Sequence, residues 1–125
     1  MSKFDAKWVD VECEGEQSGE KYFGRFLIKP LLTHKERADA IRLGELWCRG
    51  IVDNIEERLF LTTQAFLKFH IVESDAKWWS KDGTLDIYDE NPVYAISAKI
   101  KELQDVVKPK KPQENQAVQE TSQNS

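Results

Sequence analysis

THKERADAIRLGELWCRG, residues 33–50, carries its own start signal, its own stop signal and a clear apolar face. Thr33 followed by Glu36 fits a capping box. The Thr33 hydroxyl accepts from the Glu36 amide, and the Glu36 carboxylate reaches back to the Thr33 amide. Gly50 stands where a left-handed residue ends a helix, with Arg49 well placed in the last turn. Between them Ala40, Ile41, Gly44, Trp47 and Cys48 recur at helical spacing and form one face. Lys35, Asp39, Arg42, Glu45 and Arg49 form the other, and Glu45 to Arg49 is the favourable i,i+4 order. Gly44 lies mid-face, where it costs about 1 kcal/mol relative to Ala. Close approach by another element is the expected compensation.

Upstream, the period changes from helical to two. Residues 5–13 alternate, with Val9, Val11 and Cys13 pointing one way and Trp8, Asp10 and Glu12 the other. Residues 21–29 are rich in strand formers and end before Pro30. Residues 14–20 hold two glycines and three acids and read as a turn or flexible loop, so the two strands make an antiparallel hairpin. Gly24 inside a strand predicts a bulge or a close neighbour.

Downstream, Asp53 or Asn54 caps a second helix over 54–72, with Glu56 and Glu57 in its first turn. Its expected apolar face is Ile55, Leu59, Thr62, Phe66 and Phe69, widened by Phe60, Leu67 and Ile71. Residues 59–63 could instead form a short strand. Residues 73–90 break the pattern and read as an ordered loop turning at Asp82-Gly83. A third helix over 92–107 is expected to start with Asn91 as cap and Pro92 at its first position. Val93, Ile96, Ile100, Leu103 and Val107 form its stripe. The expected fold is therefore α+β: an N-terminal antiparallel β-hairpin packed on a small three-helix bundle, as one domain over residues 1–107. Residues 108–125 are Pro, Lys, Gln, Glu, Asn and Ser with almost nothing to bury, and are expected to be a disordered polar tail.

The composition narrows function by exclusion. A net charge of -4 weighs against a general nucleic-acid binder. No apolar run reaches the roughly 18 residues of a membrane span. The start, Met-Ser-Lys-Phe-Asp, lacks a signal-peptide core, and Cys13 and Cys48 read as reduced thiols of a cytosolic protein. His34 reads as exposed beside a helix cap and His70 as lying at a helix edge; neither has the spacing of a metal site. Ser74, Ser80 and Ser97 lack a nucleophile context, and no Gly-rich loop would hold phosphate. Aligning Asp82-Gly83 on the centre of an EF-hand loop puts Trp78 at the first ligand position, so the acids Asp82, Asp86, Asp89 and Glu90 read as turn and cap residues. The expectation is a non-enzymatic protein with no catalytic residue, cofactor or metal.

Aromatic side chains are the remaining candidates. Trp78 and Trp79 are adjacent on a loop, so one can plug the core while the other stays partly exposed; a core plug alone is the plainer reading, and contact with a partner protein is the alternative. Base stacking is opposed by Asp75, Asp82 and Asp86. Tyr88 and Tyr94, on either side of the third helix start, complete the set of protein-interaction candidates.

Taken together, Gly19-Glu20, Phe23-Gly24-Arg25-Phe26, Leu32-Thr33 with Glu36-Arg37, Arg49-Gly50, Trp78-Trp79 with Gly83, Leu85-Asp86 and Asn91 resemble small morphogenesis proteins of tailed bacteriophages. Within that group the layout is most similar to the tail assembly chaperones, over about residues 19–105. The resemblance implies reversible binding to the tape measure and tail tube proteins in the cytoplasm of a bacterial host, with self-association left open and neither nucleic acid nor membrane as partner. A minor virion component, or a small phage protein that binds a host factor, would have the same composition. Such chaperones are often made in two lengths by ribosomal frameshifting. A Pro-Lys-Lys codon series at Lys110-Lys111 can form the slippery heptamer A-AAA-AAG; the plainer reading is that these lysines solubilise the tail.

Overall fold

The computed structural model describes residues 4–82 and 85–109. Its elements are β1 (Lys7–Glu14), β2 (Lys21–Ile28), α1 (His34–Trp47), α2 (Ile55–His70), β3 (Ile71–Ser74) and α3 (Asn91–Val107). The fold is α+β, as expected. The predicted tail beyond Pro109, Lys110-Lys111 and the Gly83 half of the predicted turn lie outside the described residues.

The hairpin forms where the alternation placed it. β1 and β2 pair antiparallel from Lys7↔Ile28 to Glu14↔Lys21. Val11, Tyr22, Phe26 and Ile28 are buried on the inner face, while Trp8 and Phe23 remain about half exposed on the outer one. Sequence reading missed a third strand. β3 pairs antiparallel with β2, in the order β1-β2-β3, with an irregularity at Leu27/Ile28. The expected second helix ran to residue 72; the observed one stops at His70 and its chain becomes extended at once. Lys29 holds that junction, since its N–H donates to the His70 carbonyl at 2.7 Å and the His70 ring Nδ1 lies 2.7 Å from the Lys29 carbonyl.

α1 carries the predicted capping box. Thr33 Oγ1 accepts from the Glu36 amide at 3.2 Å, and Glu36 Oε1 accepts from the Thr33 amide at 2.8 Å. Gly50 has φ +87, the left-handed conformation expected there. Two details differ. Ile41 is 53% exposed rather than part of the buried face. Glu45 lies 3.7 Å from Arg58 of α2, which replaces the expected partner Arg49. Gly44 faces α2, where an added Cβ would sit 3.4 Å from Thr62 Cα.

α2 is helical throughout, so the strand alternative for 59–63 is excluded. Its inward face is rotated from the expected one. Phe60, Leu61, Gln64, Ala65, Leu67 and His70 are buried, whereas Ile55 and Leu59 are 80% and 57% exposed. The helix is wedged between α1 and the sheet, and this selects a face that includes two polar side chains. α3 closes the core through Val93, Ile96 and Ile100, which pack with Val11, Phe26, Ile28, Phe60, Leu67 and Ile71. Each such fully buried aliphatic or aromatic side chain contributes roughly 1.5–3 kcal/mol. Asn91 is the first residue of α3 and Glu90 its cap, without a side-chain cap bond. The Asn91 side chain is engaged elsewhere.

Candidate functional site

Asp89 is the side chain that sequence reading placed least well. It was expected to serve a turn or cap; it is 2% exposed. Four donors from the β1–β2 hairpin converge on it. The Gln17 amide donates to Oδ1 at 2.6 Å and the Ser18 amide at 3.0 Å. The Ser18 hydroxyl donates to Oδ2 at 2.5 Å and the Tyr22 hydroxyl at 2.8 Å. Asn91 extends the same junction. Its Oδ1 accepts from the Glu16 amide at 3.1 Å, and its Nδ2 donates to the Glu14 carbonyl at 2.9 Å. Gly15 is required by this packing, because an added Cβ would lie 2.1 Å from Asp89 Oδ2. Of the two readings of 14–20, the turn holds and the flexible loop does not: residues 16–18 form a turn that is an ordered collar around a carboxylate.

Burial alone would push the Asp89 carboxyl up. The Ser18, Tyr22 and Gln17 donors outweigh it and hold the pKa at about 2. A carboxylate so engaged is neither a general acid nor a free base at neutral pH; it fastens the hairpin loop to the start of α3.

Trp78 and Trp79 both pack against the core cluster and are each partly buried. The Trp78 ring meets Tyr22 and Phe26 edge-on at 5.5 and 5.7 Å, and its Nε1 donates to the Phe23 carbonyl at 3.2 Å. Trp79 meets Phe26 edge-on at 6.4 Å. Gly24 makes room for this segment, since a Cβ there would lie 2.4 Å from Ala76 Cβ. Tyr88 is 72% exposed. Tyr94 is at the surface of α3 and packs edge-on against Phe60 of α2 at 6.0 Å. The four candidates therefore divide by exposure: the indoles are partly buried against the core, and the two tyrosines stand at the surface beside α2.

Around the first turns of α2 the exposed apolar side chains collect. Val52 precedes the helix at 77% exposure, and Ile55 and Leu59 follow on one face. Phe60, Leu61, Leu85, Ile87 and Tyr88 line a cleft of about 270 Å³ together with Glu57 and Glu90. The surrounding charge is negative. Burial first, then Glu57 and Glu56, raises the Glu90 carboxyl; burial first, then Glu90, Glu57 and Glu56, raises the Tyr94 hydroxyl. Sequence periodicity contained this face but assigned Ile55 and Leu59 to the core.

Cys13 and Cys48 are free thiols. Among the described residues no group of three or more His, Cys, Asp and Glu side chains is arranged to hold a metal ion, and no helix is long and apolar enough to cross a membrane. No family model matches the chain, and no curated protein or solved structure matches it either.

Proposed function

We propose that this protein is a non-enzymatic assembly factor that works by reversible binding to other proteins, with the tape measure and tail tube proteins of a tailed bacteriophage as its partners. The observation that carries the binding reading is the rotated face of α2. Gln64 and His70 lie inside, while Ile55 and Leu59 lie outside with Tyr88 and Tyr94 nearby. Exposed apolar side chains grouped on one helix are a property of contact surfaces. The phage assignment is supported by the resemblance in layout alone.

The test is co-expression with a tape measure protein. The chain is expected to co-elute with it and keep it soluble, and Ile55→Asp with Leu59→Asp is expected to abolish co-elution while the melting temperature is retained. A folded double variant that binds as well as the parent overturns the assignment of this face. Gene order and particle composition test the phage role. The gene is expected between those for tail tube and tape measure, and the protein is expected to be absent from purified particles by mass spectrometry.

A further inference from the structure

The sheet has two edges, and the chain treats them differently. On the β3 side, Asp75 N–H donates to the Arg25 carbonyl at 3.3 Å, and Arg25 N–H donates to Asp75 Oδ1 at 2.9 Å. Where β3 has run out, Trp78 covers the Phe23 carbonyl. The odd-numbered residues of β2 therefore direct their main-chain groups toward β3. The even-numbered ones face the odd-numbered residues of β1 in the register Tyr22↔Cys13, Gly24↔Val11, Phe26↔Val9. The bond from Gly15 N–H to the Glu20 carbonyl, 2.7 Å, fixes the same parity from the loop end. Hence Trp8, Asp10, Glu12 and Glu14 direct their N–H and C=O groups away from the sheet. Asn91 takes the Glu14 carbonyl. Among the described residues nothing bonds to the outward main-chain groups of Trp8, Asp10 and Glu12.

We infer that this open edge accepts an extended segment of another protein as a fourth strand, with basic side chains at alternate positions. Main-chain pairing supplies the affinity and the alternating side chains supply the selectivity. The outer row of β1 is Trp8, Asp10, Glu12 and Glu14. Arg25 answers Asp10 at 3.2 Å, and Glu14 stands opposite Lys21, but Glu12 stands opposite Phe23. A Lys or Arg beside Glu12 and Asp10 meets negative charge, and one beside Trp8 meets an aromatic face already approached by Arg25 at 5.3 Å. The inner row at this edge, Val9 and Cys13, is half-buried and suits apolar alternates.

A second copy does not meet these terms. Antiparallel self-pairing through the outward positions sets Asp10 against Asp10 or against Glu12 at full overlap, and like charges directly opposite are destabilising. The edge is separate from the α2 face, and the inference stands without the reading of that face.

The full chain is titrated with a short capped peptide of alternating Lys and Val, and with its Glu-for-Lys counterpart, while backbone amides are followed by NMR. The lysine peptide is expected to slow hydrogen exchange at Trp8, Asp10 and Glu12, and the glutamate peptide to bind at least about tenfold more weakly. Glu12→Pro removes one outward N–H, spares the β2 ladder and is expected to abolish binding. The pair Asp10→Lys with Glu12→Lys is expected to reverse the peptide preference, and it carries the test if the proline variant does not fold. Equal binding of both peptides, shifts confined to other surfaces, or protection of these three amides before any peptide is added (by a second copy or by the chain's own tail) overturns the inference.

Discussion

The phenolic hydroxyl of Tyr22 donates to Oδ2 of Asp89 at 2.8 Å, joining the second strand to the start of the last helix across 67 residues of chain. Both groups are buried, so neither can exchange the other for water. A hydrogen bond to a buried charge is among the stronger ones, and losing one partner leaves the other desolvated. Tyr22→Phe is expected to lower stability by roughly 1.5–3 kcal/mol, measured by denaturant unfolding. Asp89→Asn is expected to release the 14–20 loop, seen as accelerated amide exchange at Gln17 and Ser18.

Acid stability follows from the same group. Asp89 has its folded pKa depressed to about 2 against an ordinary 3.8, so its contribution is complete above 3.8 and is lost as pH falls toward 2. His70 adds an earlier window. Burial lowers its pKa from 6.5, so the unfolded chain protonates first and stability declines once pH drops below 6.5. Two successive losses are expected in the unfolding midpoint against pH. Asp89→Asn should shrink the acid one, to which Glu36 (held down by Lys29 and the Thr33 amide) and Asp39 (held down by Arg42 and Lys35) still contribute, and leave the neutral one.

Two buried glycines are expected to respond to alanine with opposite signs. Gly24→Ala forces a Cβ against Ala76 at 2.4 Å and should cost about 1–3 kcal/mol. At Gly44 the nearest neighbour of an added Cβ is 3.4 Å away, an ordinary contact. Gly44→Ala should therefore recover up to about 1 kcal/mol of helix propensity. Thermal midpoints of the two variants decide the matter.

Thr33→Ala is expected to cost about 1 kcal/mol through loss of the α1 cap. An unchanged denaturant midpoint would show that the cap contributes nothing.

Trp78→Ala and Trp79→Ala are both expected to destabilise the fold by about 3 kcal/mol or more, because both indoles pack edge-on against Phe26 in the core. A variant of either that keeps the parent melting temperature would return that indole to the list of surface contacts.

What could be read from the chain was local. The start of α1 is written in four residues, Thr33 to Glu36, and the inner face of the hairpin in its alternation. The core stripe of α3 is likewise periodic along one element. What could not be read depends on where elements meet. β3 is only Ile71–Ser74, and Ile71 continues the apolar spacing of the helix before it, so nothing in that run marks the change of conformation. The inward face of α2 was misjudged because apolar residues occur around most of its circumference; Gln64 and His70 are inside, His70 with its ring against the Lys29 carbonyl. Asp89 looked like its exposed acidic neighbours. Its donors come from residues 17, 18 and 22, and no spacing rule connects them to position 89. Of the aromatic candidates, the Trp-Trp pair left the choice between core and surface open, and both indoles lie partly buried against the core.

The collar around Asp89 also fixes an order of events during synthesis. Gln17 leaves the ribosome early, but the carboxylate that orders its loop is 72 residues further along. Until that residue emerges, the hairpin exists without its clasp, and contacts of such long separation form late because the intervening loop must first be closed. The first turn of the molecule is therefore among the last to set, and the start of α3 is the piece that completes it.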